Sequence, residues 1–401
     1  MTESRATTDT RSSAASKGVG VLRVFLAFLR LGLTAFGGPA MVAYIRDLAV
    51  NRKRWVSQET FQDGAALCQS IPGATAMQTA AYVGLRAGGP RGALAAFVGF
   101  GLPAWGLMVI LSVAYQAGHD LRPVLAAFRG LHVIVIAIIA HAVVNFARTS
   151  VRDWRDVLPA AGAATFLVFG GNPILAIVGS AGLSVLLYLG VNIPQTVPHA
   201  LSQTPIRPLI RWLVAIAGLV VGGMALLFFL DRKLFALATV MLKIDLFAFG
   251  GGFASVPLML HEVVNVRHWL DSKTFMDGVA LGQITPGPIV ITATFVGHQV
   301  RGLVGAFVGT VAIFTPSFFM VLLTVPCFDR LQKSVLFRRA LRGVLASFVG
   351  LLLAVAVRFG LDISWSIPSV LLAVAAFAAL RLRVDILWVV LVGVGLSVLV
   401  L

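Results

Sequence analysis

Long apolar runs dominate this chain. Thirteen stretches carry few charges: roughly 21–45, 62–84, 92–116, 122–147, 157–169, 173–190, 209–230, 234–256, 275–297, 302–325, 335–357, 365–380 and 384–401. Most reach the roughly 20 residues of helix that a hydrocarbon core about 30 Å thick requires. The fifth, sixth, twelfth and thirteenth are short, as tilted, re-entrant or incomplete crossings are. The pattern predicts an all-α polytopic membrane protein with about 10–13 transmembrane segments.

The runs are organised as a repeat. Residues 55–74 read WVSQETFQDGAALCQSIPGA, and residues 269–288 read WLDSKTFMDGVALGQITPGP, with ten of twenty positions identical and no gap. LRLGLTAFGGP (29–39) likewise answers LKIDLFAFGGG (242–252), and GLSVL occurs at 182–186 and 395–399. The first six segments therefore match the last six, and segment 209–230 is left over between them. Matching segments are seven apart. That odd separation turns the second copy upside down, so the expectation is two inverted homologous halves with the substrate site near the midplane. The predicted organisation is a polar tail (1–20), a first repeat (21–190), a linker plus an extra membrane helix (191–233) and a second repeat (234–401). No convincing cleavage site follows the first apolar run, which reads as a retained membrane segment.

Charge orients the chain. With the N-terminus in the cytoplasm and every segment crossing, the inside loops and tail hold twenty Lys/Arg and the outside loops nine. That bias agrees with the positive-inside rule. One loop runs against it, with Arg46, Arg52, Lys53 and Arg54 outside. Either that loop is structured and functional, or the first segment is a hairpin that returns.

Composition supports the class and narrows the function. The chain has 401 residues, 58% hydrophobic and 12% charged, with a mean hydropathy of +0.93. A soluble domain carries about a quarter charged residues. The net charge of +16 is spread over short loops without interleaved aromatics, which argues against nucleic-acid binding. Cys68 and Cys327 cannot build a disulfide framework or a Cys-rich metal site. No P-loop, HExxH or GxSxG motif occurs, and the seven histidines are dispersed, so no metal, cofactor or enzyme activity is expected.

The candidate chemistry lies where helices should break. Pro72-Gly73 and Pro286-Gly287-Pro288 fall about ten residues into their segments, each preceded by a glutamine, Gln69 or Gln283. Proline removes a backbone donor, and freed polar groups in a membrane must face protein or a water-filled cavity. A half-helix starting there presents unpaired N–H groups, which suit an anion. A simple proline kink is the plainer alternative. Gly37, Gly38 and Pro39, and the matching Gly250 and Gly251, are either further breaks or small-residue packing surfaces; Gly305 and Gly309 read as packing. Arg30 and Lys243 are matched cations inside apolar runs. They suit one dianion held between the halves, unless Arg30 snorkels to the surface. Asp245 sits opposite Gly32 in the repeat and is not placed to pair with Lys243 two residues away, which makes it a candidate proton or coupling site. Asp63 and Asp277 match one another. They are further coupling candidates, or first-turn acids that complement the helix dipole.

Together these motifs (FGGP, then W…F…DGxALxQxxPG, then G…RG, once in each half) resemble the chromate ion transporter family in its long two-domain form, over residues 21–401. The first copy has Pro-Gly-Ala where the second has Pro-Gly-Pro, and three glycines in the second copy answer Gly-Gly-Pro in the first. The resemblance implies a multi-pass carrier of a bacterial inner membrane that exports chromate and confers resistance. It also implies that Arg30, Gly37, Gly38, Pro39, Gln69, Pro72, Gly73, Lys243, Gly250, Gly251, Gln283, Pro286, Gly287 and Pro288 line the substrate path. Sulfate has the same charge and shape and is the natural competitor; transport of sulfate or another oxyanion is the alternative reading. An oxyanion reductase would need a redox group for which the sequence has no fingerprint. The expected surroundings are the lipid bilayer and no nucleic acid; a homodimer is compatible with the sequence.

Overall fold

The computed structural model describes residues 19–35, 40–118, 122–191, 206–328 and 333–400. Among these, all regular structure is helical. Helices α1 (Val21–Thr34), α2 (Ala40–Arg46), α3 (Gln58–Ser70), α4 (Thr75–Gly118), α5 (Arg122–Ser150), α6 (Trp154–Val168) and α7 (Pro173–Leu187) form the first half. Helix α8 (Ile206–Leu230) follows. The second half consists of α9 (Arg232–Phe247), α10 (Ser255–Met259), α11 (Ser272–Ile284), α12 (Thr292–Thr324), α13 (Val335–Asp362), α14 (Ile367–Arg381) and α15 (Ile386–Val400). Among the described residues, five helices are long and apolar enough to cross a membrane.

Helix α4 is two limbs. Gly88 and Gly89 leave helical geometry, and Gly89 takes φ 67°. The limbs fold back so closely that Gly84 and Gly92 lie backbone to backbone, where a Cβ on either would strike the other's carbonyl. Helix α12 repeats this at Arg301-Gly302, with φ 60° at Gly302 and with Gly297 and Gly305 in contact. Small residues permit such approach. Gly309 also packs, with its Cα side against the Ala293 carbonyl.

The segments before these turns do not run through. Tyr82 on the first limb of α4 donates from its hydroxyl to the Thr60 carbonyl (3.1 Å), and its ring covers Gly64 of α3. Helix α3 and residues 75–87 are therefore the arms of a V with Pro72-Gly73 at its tip. Helix α11 and residues 292–300 form the matching V: Phe295 covers Gly278, and Thr292 lies over Gly282. The inbound arms are capped alike, by the side chains of Ser57 and Asp271. Helix α1 also turns back. Phe28 meets the Trp55 ring at 6.4 Å, and the Val19 amide bonds to the Ala87 carbonyl, so residues 19, 55 and 87 share one face. Helix α9 and the wider π-type turns after α10 do the same, joined by Lys243 and Glu262. Apolar segments 21–45, 62–84, 234–256 and 275–297 thus enter and leave by the same face. At the described tips Gly73 and Gly287 make this possible, because their amides find carbonyl partners in the opposite half.

The halves are inverted. Equivalent helices α5 and α13 run antiparallel: the end of α5 (Asn145–Ser150) lies with Leu345, and its start (Leu125–His132) lies with Asp362–Ser364. The V-shaped segments return to their own face, and each half adds an even number of traversing helices. Helix α8 supplies the odd crossing that inverts the second half. The face bearing Val19 is the proximal face, and the opposite one is distal. Helix α13 packs on the α6–α7 hairpin through Gly350 on Ala160 and Gly343 on Ser180. At the proximal end Asp156 accepts from Tyr188 (2.8 Å) and meets Arg342 (3.5 Å). On the distal face Arg301 bonds to Asp231 at 2.7 Å, and that hydrogen bond holds the Asp231 carboxyl below its usual range.

Candidate functional site

All the described tips meet at mid-depth. The Gly73 amide donates to the Ala248 carbonyl (2.8 Å), and the Gly287 amide to the Ala35 carbonyl (3.0 Å). Residues 73 and 287 are repeat equivalents, as are 35 and 248, so the two bonds are related by the pseudo-two-fold axis. Each Pro-Gly tip is held by the tip of the other half. Gly73 and Gly287 take φ +122° and +116°, which glycine alone adopts readily. The Pro72 carbonyl accepts from Gln78 Nε2 at 2.6 Å.

Beside this junction lies a cavity of about 430 Å³, lined by Met41 and Val42, Ala74–Ala76, Gly250–Phe253, and Pro288 with Ile289. The returning arms begin here, so backbone N–H groups without helical partners surround it. Gln69, Asn145, Thr149, Ser150 and Arg152 carry it towards the proximal face. Arg152 is its cation, and the guanidinium Nε donates to the Thr149 carbonyl (3.1 Å). The volume has room for a small tetrahedral ion and several waters, each occupying about 30 Å³ in the liquid.

The distal side of the junction is closed. Gln283, the equivalent of Gln69, is 6% exposed and its Nε2 has no partner among the described residues, whereas Gln69 is exposed. Asp277 of α11 accepts from the Tyr115 hydroxyl (2.8 Å) and shares a hydrogen bond with His132 (2.6 Å), which ties the second half's V to α4 and α5. Ser272 bonds to Asp362 nearby. The equivalents of Tyr115 and His132 are Phe328 and Leu345, so the Tyr–His pair that holds Asp277 is not repeated around Asp63. A separate polar recess of about 700 Å³ lies at the distal latch, lined by Arg129, His132, Lys273 and Asp277.

Of the residues singled out from the sequence, Gln69, Gly250, Gly251 and Pro288 line the cavity. Pro72, Gly73, Pro286 and Gly287 form its tips, and Gln283 lies behind them. Gly37, Gly38 and Pro39 lie outside the described residues. Arg30 is exposed on α1 away from the cavity lining. Lys243 is also outside the lining, and its ammonium donates to buried Glu262 at 2.5 Å. Glu262 matches Ala49, so the first half cannot make that pair. Asp63 lies half-buried on α3. Asp245 is fully buried on α9 and accepts from both the amide and the hydroxyl of Ser317, each at 2.7 Å. Sequence reasoning did not find Thr75, Asn145, Thr149, Arg152, Tyr115, His132, Glu262 or Ser317. Asn145, Thr149 and Arg152 match Arg358, Asp362 and Trp365, so comparing the repeats conceals them. Among the described residues no three His, Cys, Asp or Glu side chains gather as metal ligands do.

Inverted halves with paired re-entrant tips around a midplane cavity define a polytopic membrane transporter. The sequence pattern of the chromate transporter family matches residues 22–185 and again 235–398, and the chain belongs to that family. It is 41% identical over 391 residues to an uncharacterized transporter of Methanocaldococcus jannaschii (95% of this chain, 94% of the relative). It is 32% identical over 389 residues to the chromate transport protein of Pseudomonas aeruginosa (93% and 89%). The chromate transport protein of Cupriavidus metallidurans is 31% identical over 366 residues (89% and 87%). No solved structure matches the chain.

Proposed function

We propose that this protein exports chromate from the cytoplasm of a bacterial cell across the inner membrane, with its N-terminus and proximal face inside, and so confers chromate resistance. The observation that carries this reading is the cavity beside the Pro-Gly tips, open to the proximal face beside Gln69 and closed distally beside Gln283. It is the inward-open half of an alternating-access cycle. The oxyanion is held by the N–H groups of the returning arms and by Arg152, and leaves once the Asp277 latch releases. The two relatives named chromate transport proteins support the substrate. Basic residues support the orientation. The returning first hairpin brings Arg52, Lys53 and Arg54 to the proximal face with Arg86, Arg91, Arg148 and Arg155, as the positive-inside rule requires of a cytoplasmic face.

Arg152→Ala should raise the chromate concentration needed for half-maximal export about tenfold or more, because a charge-assisted contact in a partly dry site contributes about 1.5–3 kcal/mol. Arg152→Lys should restore part of it. Chromate uptake into everted vesicles reads this directly. Unchanged export by Arg152→Ala at normal abundance would remove Arg152 from the path, and equal uptake by vesicles with and without the protein would refute export itself. Labelled sulfate in the same vesicles tests whether the cavity selects between the two ions.

A further inference from the structure

The two tip junctions are built alike but filled differently. At one, Gly287 packs against Ala104 Cβ, and Gly32 lies nearby against Phe100 and Pro103. At the other, the equivalent positions hold Gly73, Ser317 and Asp245. There the Ala74 amide donates to Ser317 Oγ (2.7 Å), and that hydroxyl donates on to Asp245 Oδ2 (2.7 Å). Ala74 also lines the cavity. Asp245 is thus two hydrogen bonds from the place where the oxyanion would sit.

Asp245 is an unusual carboxylate. It is 0% exposed, and among the described residues its Oδ1 has no partner. From α12 Ser317 reaches it, and from the Pro-Gly tip the Ala74 backbone; among the described residues neither element presents a cation to it. On its own helix, Lys243 is engaged by Glu262. An isolated charge in such a place is costly, so a second negative charge arriving nearby favours a proton on it. Oδ2 is already committed to two donors. Oδ1 can accept a proton without breaking either bond.

We propose that Asp245 Oδ1 is the binding site for a proton that accompanies the oxyanion. This rests on the oxyanion cavity of the proposed function and adds its coupling ion. A dianion arriving beside Ala74 repels the Asp245 charge through a poorly polarisable interior, which favours the protonated acid. Linkage makes the effect reciprocal: the protonated acid strengthens oxyanion binding. The proton comes from water at the proximal face and forms the O–H bond at Oδ1. Gly32 and Ala104 offer no second site, so the stoichiometry is one proton per oxyanion.

The test adds chromate to the purified, weakly buffered protein and follows bound chromate and pH together. One proton taken up per chromate bound is expected, with an infrared band of a protonated carboxyl appearing on binding. Asp245→Asn should bind chromate without proton uptake and without the band, with an affinity that no longer changes with pH. Binding of chromate by the wild type with no proton uptake, or with a requirement for sodium instead, overturns the proton site and leaves the cavity standing. Persistent uptake in Asp245→Asn also overturns it. If Asp245→Asn does not fold, the infrared band in the wild type decides alone: its absence while chromate binds rejects the site. Absence of chromate binding to the wild type overturns both readings.

Discussion

Valine at Gly73 or at Gly287 is expected to abolish chromate export while the protein still reaches the membrane. Both residues hold φ near +120°, where a β-branched side chain is strained by about 1–3 kcal/mol. Both are also enclosed. A Cβ at Gly73 would strike Ser317 Oγ and lie 2.6 Å from Gln78 Nε2, and one at Gly287 would lie 2.6 Å from Ala104 Cβ. Overpacking adds about 1–3 kcal/mol. The tip must then move, which removes the amide bond to the opposite tip and displaces the cavity wall. The two sites should differ on rescue. Ala104→Gly makes room for Gly287→Ala and should recover part of the export. At Gly73 the crowding atoms belong to Ser317 and Gln78, which hold the tip in place, and no equivalent rescue is expected. Gly179→Val, with open space around it, is the control. Resistance and membrane abundance measured side by side check this; wild-type resistance from either valine variant would show that the junction does not shape the path.

The second large effect is on voltage. A membrane potential of 100 mV contributes about 2.3 kcal/mol per charge moved. A dianion leaving with one proton moves a net single negative charge, which supports about a 50-fold gradient at 1.4 kcal/mol per tenfold. A dianion leaving alone would move two charges, about 4.6 kcal/mol, and support roughly a 2000-fold gradient. In everted vesicles with the interior positive and no pH gradient, the wild type should therefore follow the single-charge slope. Asp245→Asn should follow the steeper, two-charge slope. A mildly alkaline medium keeps the free ion a dianion. With a pH gradient alone, accumulation should respond in the wild type and not in the variant. Equal slopes for the two proteins would separate the proton from the anion.

Much of this architecture was legible in the chain. The repeat at offsets of 213 and 214 exposed the inversion, because an extra helix between copies needs no coordinates to count. The Pro-Gly pairs marked the tips, since proline cannot donate and glycine accepts positive φ. What the apolar pattern could not tell was that segments 62–84 and 275–297 turn back: a broken helix and a V have the same composition. The direction is decided by Tyr82 lying over Gly64 and Phe295 over Gly278, contacts between residues that hydropathy treats alike. The misplaced charges of residues 46–54 were the available signal, and the returning hairpin accounts for them. The matched cations were less informative. Lys243 has a carboxylate partner that the repeat lacks, and the cavity's cation is Arg152, which the repeat also lacks. Matched positions reveal the scaffold shared by the halves. The features that make the two sides different, at Asp245, Glu262, Arg152 and the Asp277 latch, lie where the match fails.

On the proposed path, chromate occupies the cavity beside the Pro-Gly tips, which opens to one face at a time. Cysteine placed at Gln69 or at Gln283, with Cys327 replaced by serine and buried Cys68 left in place, tests it most directly. At rest, Gln69→Cys should react with a membrane-impermeant thiol reagent from the proximal face, and Gln283→Cys should not react from either face. Chromate should protect Gln69→Cys in proportion to its occupancy and, under an imposed potential, expose Gln283→Cys to the distal face. Equal labelling of both positions, or labelling of Gln69→Cys that saturating chromate leaves unchanged, would contradict the account.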